Sequence, residues 1–549
     1  MGPKEMRVGL LLNGLFLQAW QVRAVEELQS VSGVQIVVGI LPEESSSPPA
    51  KSLWSKWDAT ALYRGYRKRL HIPQLKESSP EWLQELPLIR VQTIDKKGST
   101  YFLDSDLNAI QSHKPDVLLR FGFNILRGEV LRVAPLGIWS FHHGDEQFYR
   151  GGPPAFWEIL HGKKVVGSIL QKLTEKLDGG IILKKGYFPV TLHSLSETHN
   201  RLLEDTALWP AQVARDVLNG VLQIDHCKAA PTEAPVYRFP RNLTMLQWLL
   251  KSLKYRILFH WNDLCKAEQW NVAVLKQAIT DVPNKGLHTE ARWLPEQGAN
   301  HFRADAFGMH NSEEKLILYE AFDYESGRGE ILAVNEQGET RKVLPDGNHH
   351  RSYPFVFHFE GDTYCMPECF ESNRLDVFKW NPAGRSFSFF KTLLHDIPVI
   401  DATLCEIAGK WWIFCTRRER SNYALELFHA HHPMGPFEAH ANNPVKWDVR
   451  SSRPAGNVFE VNGHWYRPAQ DCSETYGGRI VLFEILEISE KTYAEREVRA
   501  LHPIKPYKHG IHTLADYDGK RIIIDGKRYR FSRAKFWRRL KAKLGMASG

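Results

Sequence analysis

The first two hundred or so residues alternate short apolar runs with stretches of helical spacing. Val8-Gly-Leu-Leu-Leu12 reads as a buried strand, Trp20 to Leu28 as a helix, and Val34-Gln-Ile-Val-Val-Gly-Ile40 as a second strand. Asp116 to Gly122 and Gly137 to Phe141 repeat the strand pattern. Unbroken apolar runs between helices suit strands covered on both faces, so the pattern predicts an α/β, mostly parallel, doubly wound sheet. Ligands of such sheets gather beyond the carboxyl ends of the strands. Asn13-Gly14, Phe121 to Asn124 and Ser140 to Gly144 would all fall there.

The texture changes beyond Trp270 to short aromatic strands and polar turns. Gly361, Gly409, Gly463 and Gly519 each open a strand, and Glu314-Lys-Leu-Ile-Leu-Tyr319 supplies a fifth without the glycine. The units are roughly 46 to 56 residues apart, a period typical of propeller blades, and five of them predict a multidomain chain with an all-β five-bladed propeller. Between the two textures lies a Pro-containing stretch, Ala229 to Pro235, and an apolar-rich helix through Leu243 to Leu250. The expected divisions are 1–224 for the α/β domain, 225–265 for a helical linker, 266–526 for the propeller and 527–549 for a tail.

Composition narrows the class. At 549 residues the chain exceeds one ordinary core. No apolar run approaches a membrane span, no secretory leader is visible, and seven cysteines show no regular spacing. The expectation is a reduced, cytoplasmic protein without a metal site. The formal charge is +8, but Lys527 to Lys543 holds nine Lys or Arg residues and no acid, so the rest is near neutral. That aromatic, cationic segment suits an anionic membrane surface, which would place the protein against the inner face of a membrane. A solvated terminal helix is the plainer alternative. Basic charge confined to one end, without a recognised module, argues against nucleic acid. Neither a G-x-G-x-x-G nor a P-loop string follows the first strand, so no dinucleotide or P-loop nucleotide is expected.

The candidate chemistry begins at Ser140-Phe141-His142-His143-Gly144, continues through Tyr149-Arg-Gly-Gly-Pro-Pro154, and ends at Leu177-Asp178-Gly-Gly180. This resembles the formyltransferase family, with its Asn-x-His, Arg-Gly-x-x-Pro and Leu-Asp-x-Gly motifs. The resemblance implies N10-formyltetrahydrofolate as cofactor and transfer of its formyl group to an amine. It assigns oxyanion donation to position 140, proton transfer to His142 and orientation of that histidine to Asp178. Such a reaction needs a donor for the developing oxyanion and a base for the amine proton. Serine at 140 departs from the family's asparagine and offers one rotatable donor; His143 is a second candidate donor. The resemblance places the folate against Phe121, Gly122, Phe123, Leu126 and Thr174. A purely structural role for His142 and Asp178, and core packing for Phe121 and Phe123, stay open.

A second resemblance covers about 270–500. Ser352-Tyr-Pro-Phe-Val-Phe357, Met366-Pro-Glu368, Ile400-Asp-Ala-Thr403, Ser452-Arg-Pro-Ala-Gly456 and Arg467-Pro-Ala-Gln-Asp471 look like the propeller-type domain named after glucosamine inositolphosphorylceramide transferases. Asp305, Glu320, Glu368, Asp401, Arg453 and Asp471 are the candidates for its central channel. Two carboxyl groups there would suit glycosidic chemistry; turn capping, arginine pairing or sugar binding would use the same residues. The whole reads as a formyltransferase-like enzyme acting on an amino sugar, nucleotide- or lipid-linked, in surface polysaccharide or glycolipid biosynthesis. The alternatives are a glycosyltransferase or glycosidase-like propeller with a degenerate N-terminal domain, and a glycan-binding scaffold. A methionyl-tRNA formyltransferase is disfavoured by the large region after residue 266.

Overall fold

The structure is a computed structural model that describes residues 5–43, 59–96, 98–176, 179–227, 229, 232–311 and 314–545. The chain divides into two compact units, Met1–Arg256 and Ile257–Gly549.

Among the described residues, seven strands form the main sheet of the first unit: β1 (Met6–Leu11), β2 (Val34–Pro42), β3 (Leu88–Val91), β4 (Val117–Arg120), β5 (Ile138–His142), β6 (Val165–Lys172) and β7 (Ile181–Pro189). Their order is β7-β6-β5-β4-β1-β2-β3. The five strands from β5 to β3 run parallel, while β6 and β7 are added antiparallel as a pair. The apolar runs lie where their hydrophobicity requires: Val8, Leu10, Leu11, Leu118, Leu119 and Ile138 have no solvent exposure. The helix Ala19–Gln29 buries Trp20, Ala24, Val25 and Leu28 along one stripe. Full burial of each large apolar side chain stabilises by roughly 1.5–3 kcal/mol. The helix starts where Gln18 and Gln21 cap each other, the Gln21 side chain accepting from the Gln18 N–H at 2.9 Å.

Parallel register brings Leu11, Arg120 and His142 to one edge of the sheet. The loops after β1 and β4 cross closely there. A Cβ on Gly122 would stand 2.4 Å from the Leu12 carbonyl carbon, so this position accepts only glycine, and the Phe123 N–H donates to Asn13 Oδ1 at 2.8 Å.

Among the described residues, the second unit contains five antiparallel sheets. Their first strands are His301–His310, Ser352–Phe359, Val399–Ile407, Phe459–Val461 and Leu514–Asp516. Gly361, Gly409, Gly463 and Gly519 turn four of these into the next strand, each with a positive φ that glycine adopts without cost. The last sheet joins distant parts of the unit. Leu514–Asp516 pairs with Ile522–Arg530, which pairs through nine positions with Ala267–Leu275, and Ala291–Trp293 lies outermost. Lys527, Arg528 and Arg530 are therefore strand residues, and Lys527 is wholly buried against Glu268 and Thr475. The basic segment expected as a tail from 527 begins as a tail only after this strand, with a helix at Arg533–Lys543.

Three first strands share an irregularity at the same place: between Ala304 and Phe307, Ser352 and Phe355, and Ile400 and Thr403. Asp305, Tyr353 and Asp401 occupy these bulges with φ of 51°, 42° and 49°. Such left-handed backbone costs non-glycine residues about 1–3 kcal/mol and persists where surroundings enforce it. Bulges re-aim side chains, and here each of the three polar residues reaches groups outside its own sheet: Asp305 reaches His512, Tyr353 reaches Thr403 and Asp401 reaches Arg453. The Tyr353 hydroxyl meets Thr403 Oγ1 at 2.8 Å and accepts from the Gly456 N–H at 2.7 Å. Gly456 in turn forms a bridge with Leu514. Among the described residues, no helix is long and apolar enough to cross a membrane.

Candidate functional site

In the first unit, strand alternation puts Ser140 and His142 on the same face of β5. They line a cavity of about 370 Å³ with Arg120, Leu126, Gln171 and Thr174. Arg120, the last residue of β4, donates to Ser140 Oγ at 3.0 Å and to the carbonyls of Phe123 and Asn124 at 3.0 and 2.8 Å. His142 Nε2 lies 2.9 Å from the Tyr149 carbonyl, which fixes the ring from the following loop. Gly144 permits that approach, since a Cβ there would stand 2.9 Å from both His142 Nε2 and the Tyr149 oxygen. The loop on the far wall is held by Gly128, whose N–H donates to Glu175 Oε1 at 3.1 Å. Asp178 and Leu177 lie outside the described residues.

In the second unit, buried polar groups from several sheets converge. Asp401 accepts from Arg453 Nε at 2.6 Å, from Arg453 Nη2 at 3.3 Å and from Gln470 Nε2 at 2.8 Å. Its own N–H donates to Glu368 Oε2 at 3.0 Å. Burial pushes the Glu368 carboxyl well above the usual range; the charge of Asp401 and a hydrogen bond to it add to the rise against the opposing pull of Arg453. Glu320 is also held high, first by burial and then by Asp305 and Glu368. His512 is clamped between two carboxylates, Nε2 3.1 Å from Asp305 and Nδ1 2.5 Å from Asp525, with Trp270 stacked on its ring at 3.9 Å. Burial opposes its charge, but Asp525 and Asp305 outweigh that and raise its pKa. Asp305 is pushed up to about 6 by burial, with His512 pulling the other way. The ligand atoms of Asp305, His512 and Asp525 all lie within 4.8 Å of one another, which makes these three residues the group that could hold a metal ion among the described residues. The cluster thus sets Glu368, whose carboxyl is held high by burial and by its neighbour, directly against Asp401, which Arg453 and Gln470 grip from the other side.

Residues 263–522 match the family model described as "Glucosamine inositolphosphorylceramide transferase 1, N-terminal". The protein of that name in Oryza sativa subsp. japonica is 31% identical over 214 residues, covering 37% of this chain and 29% of its own length. The chain therefore spans under a third of that relative. A methionyl-tRNA formyltransferase of Borrelia duttonii (strain Ly) is 25% identical over 209 residues, covering 34% of this chain and 67% of that protein. Among solved structures, glycinamide ribonucleotide transformylase 1 of Symbiobacterium toebii has a TM-score of 0.28 at 16% identity, covering 42% of this chain and 95% of that one. The curated relatives are transferases by name.

The structure brings Ser140, His142, Leu126 and Thr174 to one cavity. It gives Phe121 and Phe123 packing roles: Phe121 stands edge-on to Trp20, and Phe123 packs on Phe102. Gly122 serves the loop crossing. His143, expected as a second donor, is turned to the opposite face, where Nδ1 meets Ser168 Oγ at 3.0 Å and the ring lies edge-on to Trp20. Burial, with His199 and His142 adding to it, lowers its pKa to about 3. In the second unit Asp305, Glu320, Glu368, Asp401 and Arg453 belong to one electrostatic cluster. Asp471 instead pairs with Arg479 at 2.9 Å and accepts from the Ser473 N–H at 2.9 Å. Sequence reasoning missed Arg120, Gln470, His512 and Asp525. A lone arginine closing the apolar run Val117-Leu-Leu119 was the available signal for Arg120.

Proposed function

We propose that the first unit transfers a formyl group from N10-formyltetrahydrofolate to the amine of an amino sugar, nucleotide- or lipid-linked. We read the five sheets of the second unit as the blades of a propeller that handles the carbohydrate. The observation that carries the transfer reading is the hydrogen bond from Arg120 to Ser140 beside His142. A serine alone is a poor substitute for a carboxamide. With an arginine occupying one of its lone pairs, the hydroxyl hydrogen is directed elsewhere, and a fixed positive charge stands behind it.

The cavity suits the cofactor's flat head: Leu126 gives it an apolar wall, and the 173–176 loop offers backbone groups. When bound, the cofactor would supply an activated formyl carbon. Ser140, backed by Arg120, would donate to the oxygen that gains charge and His142 would receive the amine proton; the family resemblance assigns the orienting of that histidine to Asp178. Loss of one such donor costs about 10²- to 10³-fold in rate. The likeness to a methionyl-tRNA formyltransferase supports one-carbon chemistry, and the match over 263–522 supports a carbohydrate partner.

The test is formyl transfer to a panel of nucleotide-linked amino sugars. Wild type should be active, and Arg120→Ala, His142→Ala and Asp178→Ala should each lose about 10²-fold or more. Absence of folate binding, or full activity in the Arg120 and His142 variants, would sink the proposal. The buried Glu368, in hydrogen-bond contact with Asp401, favours a second reading, in which the second unit itself acts on a glycosidic bond. Glu368→Gln would then abolish turnover of a sugar substrate while leaving formyl transfer intact.

A further inference from the structure

The helix Asn242–Cys265 carries large apolar side chains that none of the described residues covers. Leu246, Leu250, Leu253, Ile257 and Trp261 recur at three- and four-residue spacing on one face and are 48–63% exposed. Met245 and Trp248, opposite the stripe in the first turns, are the buried residues of the helix, while Leu258 and Phe259 further along are also exposed. Lys254 and Arg256 flank the apolar stripe, and the helix has a single carboxylate, Asp263.

That carboxylate is taken by the Arg533–Lys543 helix: Arg539 Nε and Lys543 Nζ reach it at 3.2 and 3.0 Å. Lys535 also donates to the Lys266 carbonyl. A helix with six cations and no acid is thus fastened beside the apolar one, with Arg533 and Lys541 exposed. It adds its own apolar groups, Trp537 at 57% and Leu544 at 65% exposure.

We propose that these two helices lie in the interface of an anionic lipid surface. The apolar stripe would enter the acyl boundary, tryptophans would sit at the headgroup level, and the cations would meet lipid phosphates and carboxylates. Charge favours this occupant over a second copy of the chain. Two copies packed through this face would oppose lysines and arginines, and the one acid that the two helices themselves carry, Asp263, is already paired.

Flotation of the full chain with phosphatidylcholine vesicles, with and without phosphatidylserine, tests the proposal. Wild type should bind the anionic vesicles at least about tenfold better than the neutral ones and lose that preference in high salt. The triple variant Leu250→Gln, Leu253→Gln, Ile257→Gln should bind about tenfold or more weakly on both. Arg533→Gln with Lys541→Gln should lose mainly the phosphatidylserine preference. Since all five positions are exposed, unchanged thermal melting would show that the variants fold. Wild-type flotation by the triple variant overturns the proposal, as does failure of wild type to float. Sedimentation velocity supplies the rival outcome: a wild-type dimer made monomeric by the triple variant, without vesicle binding, would assign the face to a second copy.

Discussion

Asp401 shows how much a single side chain can hold. It is 1% exposed and accepts from Arg453 and Gln470, so its loss strands a buried guanidinium. Asp401→Ala should destabilise the second unit by about 3–5 kcal/mol, read as a fall in the urea midpoint. An unchanged midpoint would mean that solvent reaches Arg453. In the first unit the informative group is Glu158, 2% exposed, whose carboxyl burial raises to about 7 from an unfolded value near 4.5. Between those values the unfolded chain has lost the proton and the folded one keeps it. Stability therefore falls as pH rises through this window, and the full cost, on the order of 3 kcal/mol, stands above pH 7. Glu158→Gln should match wild type near about pH 4 and exceed it by roughly that amount near about pH 8, compared by urea midpoints. Asp401 could be picked from the sequence because a lone acid sits in an apolar strand, Val399-Ile-Asp-Ala-Thr403. His512 and Asp525 could not, because their partner Asp305 is more than two hundred positions away and no local period connects them.

At the scale of elements, turns were easier to read than bulges. Each glycine that opens a strand leaves a local mark in the sequence, since a positive φ and an aromatic run follow one another directly. The bulges at Asp305, Tyr353 and Asp401 leave none: each is a left-handed residue in an otherwise extended run, imposed by what neighbouring strands offer. Tyr353 belongs to a conspicuous motif, yet only the fold reveals that its hydroxyl joins Thr403 to the Gly456 backbone. Tyr353→Phe would leave the buried Gly456 N–H without its acceptor and should cost about 1–3 kcal/mol. Gly456→Ala should cost as much or more, because its Cβ would stand 1.9 Å from the Leu514 carbonyl oxygen and force apart the bridge between Gly456 and the first strand Leu514–Asp516. Thermal unfolding of both variants checks the pair. A neutral Gly456→Ala would show that this bridge is dispensable.

The whole chain is governed by two hydrophobic organisations, and the sequence announced both through their different periods. It could not announce where the last sheet finds its strands. The expected boundary at 526 cuts through Ile522–Arg530, which supplies the neighbour of Ala267–Leu275. Truncation after Tyr517 should therefore abolish cooperative unfolding of the entire second unit, whereas truncation after Phe531 should preserve it. Pulse proteolysis of the two shortened chains distinguishes the cases; equal resistance would mean that the Ala267–Leu275 strand needs no partner there.

That pairing also sets a clock. Ala267–Leu275 leaves the ribosome long before Ile522–Arg530, and its edge has no partner until nearly all of the intervening chain has been made. Domains generally fold as units during synthesis, the first-made earliest. The first unit can thus be complete while the second still waits for its last strand. For that interval an unpaired β edge and the leucine-rich helix before it are exposed together, so the half-made chain presents more aggregation-prone surface than the finished protein.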